Sequence, residues 1–264
     1  MWTCVKWEAR RLARQSRFWG SLVAVAVLGG LFSYGYRLMH GQAFVVPTVG
    51  RGLANGFFVP ILALTLSSSV LLPFFVALVA GDSVAGERQS GTWNTLLTQG
   101  ISPWRLFWGK ALVSFGYAAL ATLILCASSL AGGWVIFGLH GSALPSGVVA
   151  STGQFWRLIV IVWGYATVSQ MVVAAFALLV SAFSRHSVSS LLVSMGTLIV
   201  LAMLGDMPIL AAVRRLLFTS YFSRLGDTLT FPPNWIALTH GLLVYGLYLI
   251  LFLAAILWFQ PFRD

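Results

Sequence analysis

Two stretches of this chain, residues 52–81 and 111–156, contain no Asp, Glu, Lys or Arg. A helix needs about 20 mostly apolar residues to cross a hydrocarbon core of ~30 Å, and both stretches exceed that. Shorter runs of the same kind complete a set of six: Phe18–Tyr36, Phe57–Ala80, Ala111–Phe137, Leu158–Phe183, Val188–Gly205 and Trp235–Phe259. Charged residues make up 8% of the sequence, against about 25% in soluble domains. The runs are unevenly spaced and do not alternate, which argues against a barrel. The reading is an all-α membrane protein with six transmembrane helices. No linker or shift in composition divides it, so residues 1–264 are one membrane domain.

A basic leader, residues 1–17, precedes the first run, so that run is not read as a cleavable signal. At 3.6 residues per turn Trp2, Val5, Ala9, Leu12 and Trp19 share one arc, and Lys6, Arg10, Arg14 and Arg17 another. This predicts one amphipathic helix over Trp2–Trp19, lying in the headgroup plane with its apolar face down. Its membrane-interface residues are Trp2, Lys6, Arg10, Arg14, Arg17 and Trp19. If the leader is inside, ten Lys and Arg residues fall on the cytoplasmic side and six outside. The expected location is the cytoplasmic (inner) membrane, with both termini cytoplasmic. A net charge of +10 then reports orientation and contact with anionic lipid headgroups, and no nucleic acid is expected as a partner.

Little else points to chemistry. Cys4 and Cys126 fall at different depths and are not expected to pair, and the four histidines lack metal-ligand spacing. Gly86 and Gly91 have phosphate-loop spacing, but Thr92 stands where Lys is required. Gly81-Asp82-Ser83-Val84 lacks the final glycine of a nucleophile elbow. Pro60, Pro73 and Ser67-Ser68-Ser69 in the second run fit a kink or ordinary helix packing. Gln170, central to the fourth run, is read as an interhelical hydrogen bond. Residues 206–234 are expected to be an external segment that dips into the membrane and returns. There Asp206 caps a short helix over Ile209–Phe222, and Arg214 and Arg215 are too costly for a full crossing.

The polar interruption between the second and third runs is the exception. Asp82 and Ser83 read as a helix start, with Glu87 near the N-terminal dipole. Trp93, Leu96 and Leu97 make one apolar face, Gly100 ends the helix, and Ser102-Pro103 starts the next. The prediction is a short cytoplasmic helix along the membrane within residues 81–107.

Here the chain resembles a known family. The pattern A-x-D-x-x-x-x-E-R-x-x-G-T, then a Leu-Leu pair, an S-P break and a G-K, is similar to the segment after the second span of ABC-2 type transporter permeases. Asp82, Glu87, Arg88, Gly91, Thr92, Leu96, Leu97, Ser102, Gly109 and Lys110 carry it. Gly81 departs from the bulkier residue usual before the aspartate. The resemblance implies a permease without its own ATPase, paired with a second copy of itself and with two ABC ATPase subunits. Those subunits would bind ATP and Mg, leaving no cofactor in this chain. It also implies that residues 81–100 act as a coupling helix seated on the ATPase, through Asp82, Glu87, Arg88, Gly91, Thr92, Trp93, Leu96 and Leu97. Export of a substrate follows, with membrane lipid and a periplasmic accessory protein as further candidate partners. Two alternatives stand: a permease of the importer type, and a non-transporting scaffold for a periplasmic assembly. On the coupling reading, Glu87→Ala leaves folding intact and lowers ATPase activity.

Overall fold

The computed structural model describes residues 2–40, 55–92, 103–139, 142–143, 149–206, 217–229 and 235–259. Its helices are α1 (Trp2–Ala13), α2 (Ser16–His40), α3 (Phe58–Ser67), α4 (Leu71–Gln89), α5 (Pro103–Phe137), α6 (Thr152–Phe183), α7 (Ser187–Asp206) and α8 (Trp235–Phe259). A two-residue antiparallel pairing, β1 (Ser142–Ala143) with β2 (Val149–Ala150), lies between α5 and α6. A 3-10 segment, Phe218–Leu229, precedes α8. Among the described residues five helices are long and apolar enough to span a membrane, and α3 with α4 supplies a sixth when the bent pair is counted as one span. The expected spans are therefore present, with the second one broken.

The break has a local cause. Pro73 has no N–H to give the carbonyl of Ser69, and its ring crowds that carbonyl. The ladder stops where Ser68 N–H bonds Leu64 O at 3.0 Å and resumes where Phe74 N–H bonds Val70 O at 3.0 Å, with α3 and α4 inclined by 57°. In lipid a freed carbonyl needs a partner. Gln170 supplies one, its Nε2 donating to Ser68 O at 3.4 Å. The interhelical bond expected of Gln170 is thus a brace across the broken span.

The fourth span, α6, is the centre of the bundle. In it 67% of the most apolar window is buried, against 28–33% in the other four long helices. Its start is fixed by a capping box of Ser151 and Gln154. The α2–α5 seam is lined by small residues, which let helices approach closely where there is no hydrophobic drive to pack them. Ser33 Oγ donates to Ser129 O at 3.1 Å across it. A Cβ added to Gly29 would meet the Ser128 side chain and, at 2.9 Å, the Ser129 amide.

The leader differs from its expected form. It is two helices, with a break at Arg14-Gln15, because α1 ends at Ala13 and α2 starts at Ser16. Trp19 Nε1 donates to Ala13 O at 2.8 Å and closes that elbow. The face of α1 turned toward α5 carries Cys4, Val5, Glu8, Arg11 and Leu12, while Trp2 and Trp7 are exposed. The predicted apolar arc is therefore split, because the inward face is built around an ion pair.

At the other end of the bundle Asp206 closes α7; of the helix it was expected to cap, Ile209–Phe222, residues 209–216 lie outside the described ones and Phe218–Phe222 belong to the 3-10 segment. The 3-10 segment packs along α8, with the Phe218 ring 5.1 Å from that of Tyr248 and 6.0 Å from that of Phe252. Phe252 lies about 25 Å along α8 from Trp235 at 1.5 Å per residue. Tyr165 Oη also donates to Tyr221 O at 3.2 Å, tying the segment to α6.

Candidate functional site

The motif residues do not begin a new helix. Residues 71–89 form one continuous helix, so Asp82, Ser83, Glu87 and Arg88 sit on the last two turns of α4. This corrects the expected helix start at Asp82: the turn-forming types Gly81, Asp82 and Ser83 lie inside Leu71–Gln89, where no proline follows Pro73 and their polar groups are met by α6 and α7, Ser181 Oγ donating to Gly81 O at 2.6 Å and Ser187 Oγ to Asp82. It stops at Gly91, whose φ of +73° an L side chain rarely adopts. Gly91 N–H bonds Arg88 O at 3.2 Å, and the Thr92 hydroxyl donates to Glu87 O at 3.3 Å. Gly91 is thus a C-terminal stop of the usual kind, and Thr92 satisfies one of the exposed carbonyls. Trp93, Leu96, Leu97 and Gly100 lie outside the described residues.

Glu87 is neither at a helix N-terminus nor solvated. It is 3% exposed, in the last turn of α4, where the dipole disfavours a carboxylate. Cations from two other helices compensate. Lys110 of α5 is 1% exposed, and its Nζ donates to Glu87 Oε1 at 2.7 Å, to Glu8 Oε1 at 3.0 Å and to Ser83 O at 2.8 Å. Arg11 of α1 pairs with Glu8 at 3.0 Å and also with Glu87. Two carboxylates and two cations therefore neutralise one another at the meeting of α1, α4 and α5. Removing such charges from water costs several kcal/mol per ion, and their pairing offsets that only while all partners are present. α5 has 35 residues, so it spans about 52 Å, longer than a hydrocarbon core. Its surplus length leaves Lys110 near one end of the bundle.

The neighbouring motif residues bind the other helices. Asp82 Oδ1 accepts from Ser187 Oγ at 2.5 Å and from Arg17 at 3.3 Å. Ser187 opens α7, and Gln89 Oε1 accepts its N–H at 3.1 Å. Asp82 thus serves a helix start, but that of α7 rather than its own. Arg88 donates to Ala182 O at 2.5 Å, at the end of α6. The preceding residue of α6, Ser181, donates its Oγ to Gly81 O at 2.6 Å and accepts Ala85 N–H at 2.9 Å. Helices α1, α2, α5, α6 and α7 are thus each bonded to the last turns of α4.

Three members of its ion-pair network were absent from the sequence-derived site: Glu8, Arg11 and Lys110 as an ion-pair partner. Composition held a signal for them. Glu8 is the single acid before Asp82, and Lys6 and Lys110 are the only lysines in the chain. The proposed interface residues Trp2, Lys6, Arg10, Arg14, Arg17 and Trp19 are all exposed. Among the described residues no group of three or more His, Cys, Asp or Glu could hold a metal ion.

Comparison with known sequences bears on what such a joint belongs to. No curated protein matched the chain. A family profile described as "ABC-2 family transporter protein" matches residues 2–232, which takes in the leader, the joint and the first five spans. With multiple membrane-spanning helices and a match over most of its length, this chain belongs to the ABC-2 family of transporter proteins.

Proposed function

We propose that the chain is the permease subunit of an ATP-driven exporter. In this reading the joined ends of α1, α4, α5, α6 and α7 receive force from a separate ATPase that binds ATP and Mg. The observation that carries it is the sealing of this end. Glu87, on the helix leading into the 93–102 segment, is bonded to Lys110 on the helix leading out of it, at 2.7 Å. A push on that segment is thereby transmitted to the second and third spans together, and through Asp82 and Arg88 to the fourth and fifth. Joined, packed elements move as bodies rather than deforming continuously. Two copies of the chain with two ATPase subunits, both termini cytoplasmic in the inner membrane, complete the arrangement.

The test is reconstitution of the full chain with its ABC ATPase in liposomes. ATP hydrolysis should exceed that of the ATPase alone and should fall when Trp93 or Leu96 is replaced by Ala. Retention of full stimulation by both variants removes the 93–102 segment from the coupling surface. Accumulation of substrate on the ATPase side would overturn export and favour the importer type. A chain that never changes the ATPase rate would favour the scaffold.

A further inference from the structure

The broken second span leaves backbone groups unpaired at the depth where lipid tolerates them least. Between the bond of Ser68 N–H and that of Phe74 N–H, no backbone hydrogen bond is made among the described residues. The N–H groups of 69–72 and the carbonyls of 65, 66, 67 and 69 therefore stand outside the ladder. The 10 residues of α3 lie on one side of the break, about 15 Å at 1.5 Å per residue, half of a hydrocarbon core of ~30 Å. Gln170, which braces the break, stands near the middle of the 32 residues of α6. One side of the break is covered, since Ser67 and Ser68 are buried beside Gln170. The other side is open. Leu66 is 61% and Val70 48% exposed, and Ser69 between them is exposed, its hydroxyl making no hydrogen bond among the described residues. At similar depth on other spans the open faces are apolar and the helices unbroken, as at Val27 of α2 and Leu247 of α8.

Irregular backbone is not sustained against lipid within the hydrocarbon region; it needs protein or a water-filled path beside it. We infer that the open side of the break is covered by the same break of a second copy of this chain, across a twofold axis. This rests on the two-copy arrangement proposed above and says which surface makes it. Self-complementarity favours an identical partner. The break presents unpaired donors and unpaired acceptors side by side, and in an isologous contact each copy supplies what the other lacks. Its rim of Leu66, Val70, Leu71 and Phe74 is exposed, apolar and without charge, which suits a dry helix contact over a water-filled path. The small side chain of Ser69 lets two backbones approach closely.

The test uses the full chain in liposomes of phosphatidylethanolamine and phosphatidylglycerol, in a Cys4→Ser/Cys126→Ala background. Leu66→Cys, Ser69→Cys and Val70→Cys are oxidised with copper phenanthroline beside two controls, Val27→Cys and Leu247→Cys, whose native side chains are 56% and 63% exposed. The three are read together because a twofold axis joins like positions only where it passes. Native mass spectrometry of the same preparations counts the copies. The expected result is a shift to the dimer band on a non-reducing gel from Ser69→Cys or a flanking variant, with both controls left as monomers. A chain that is paired by mass while none of the three shifts overturns this surface and leaves the two-copy reading standing. A chain that is single by mass overturns both. An equal shift in either control overturns the proposal. So does labelling of Ser69→Cys by a charged, impermeant maleimide without cross-linking, which would assign the break to a water-filled path.

Discussion

Lys110 Nζ and Glu87 Oε1 lie 2.7 Å apart on side chains that are fully shielded from solvent or nearly so, although 23 residues separate them in sequence. The pair closes the base of the polar interruption between two membrane spans. It also turns the residues with the most conspicuous sequence pattern from an outward surface into an inward fastening.

Glu87→Ala is accordingly expected to destabilise the protein, and the contrary expectation from sequence is withdrawn. Loss of one partner leaves Lys110 and Arg11 sharing Glu8, at a cost of about 3 kcal/mol. A thermal melt in detergent should show it, and Glu87→Ala/Lys110→Met should recover part of the loss. An unchanged melting temperature for Glu87→Ala would show that the network does not hold this end together.

Gly91 stops α4 with a φ of +73°, and a Cβ there meets nothing within 4 Å. The obstacle to a side chain is conformational, so Gly91→Ala should cost about 1 kcal/mol. Asn, which tolerates the left-handed region, should cost less. A melt ranking Ala equal to or above Gly would argue against this turn.

Adjacent glycines on α2 offer an internal control. Gly29 faces Ser128 and Ser129, whereas Gly30 has nothing within 4 Å of an added Cβ. Gly29→Ala should destabilise by about 1–3 kcal/mol as an overpacked seam, and Gly30→Ala should be neutral or slightly stabilising. Equal melting temperatures for the two variants would contradict the α2–α5 packing.

Orientation can be read chemically. In a Cys4→Ser/Cys126→Ala background, a membrane-impermeant thiol reagent added outside whole cells should label Gly50→Cys and miss Ser90→Cys. The reverse pattern would invert the proposed topology.

Sequence by itself determined the class of the protein, because a helix's ability to cross lipid depends on the apolarity of about 20 consecutive residues, a property local to the chain. A bend at Pro73 was one of two readings open from sequence, since its missing donor acts on its own turn, but Pro60 lies inside the unbroken α3, so only the structure showed which proline marks the break. The S-P break was legible too, and Pro103 opens α5. The family pattern could likewise be read from a short run of residues. What Asp82, Glu87 and Arg88 touch was decided by tertiary structure alone. Their partners come from α1, α2, α5, α6 and α7, with Lys110 and Glu8 separated by 102 positions. The face of α1 turned inward was hidden similarly, since a wheel of hydrophobicity places Glu8 and Arg11 outside. A charge can be buried when opposite charges converge on it in a low-dielectric site, and that convergence exists only once the helices have packed.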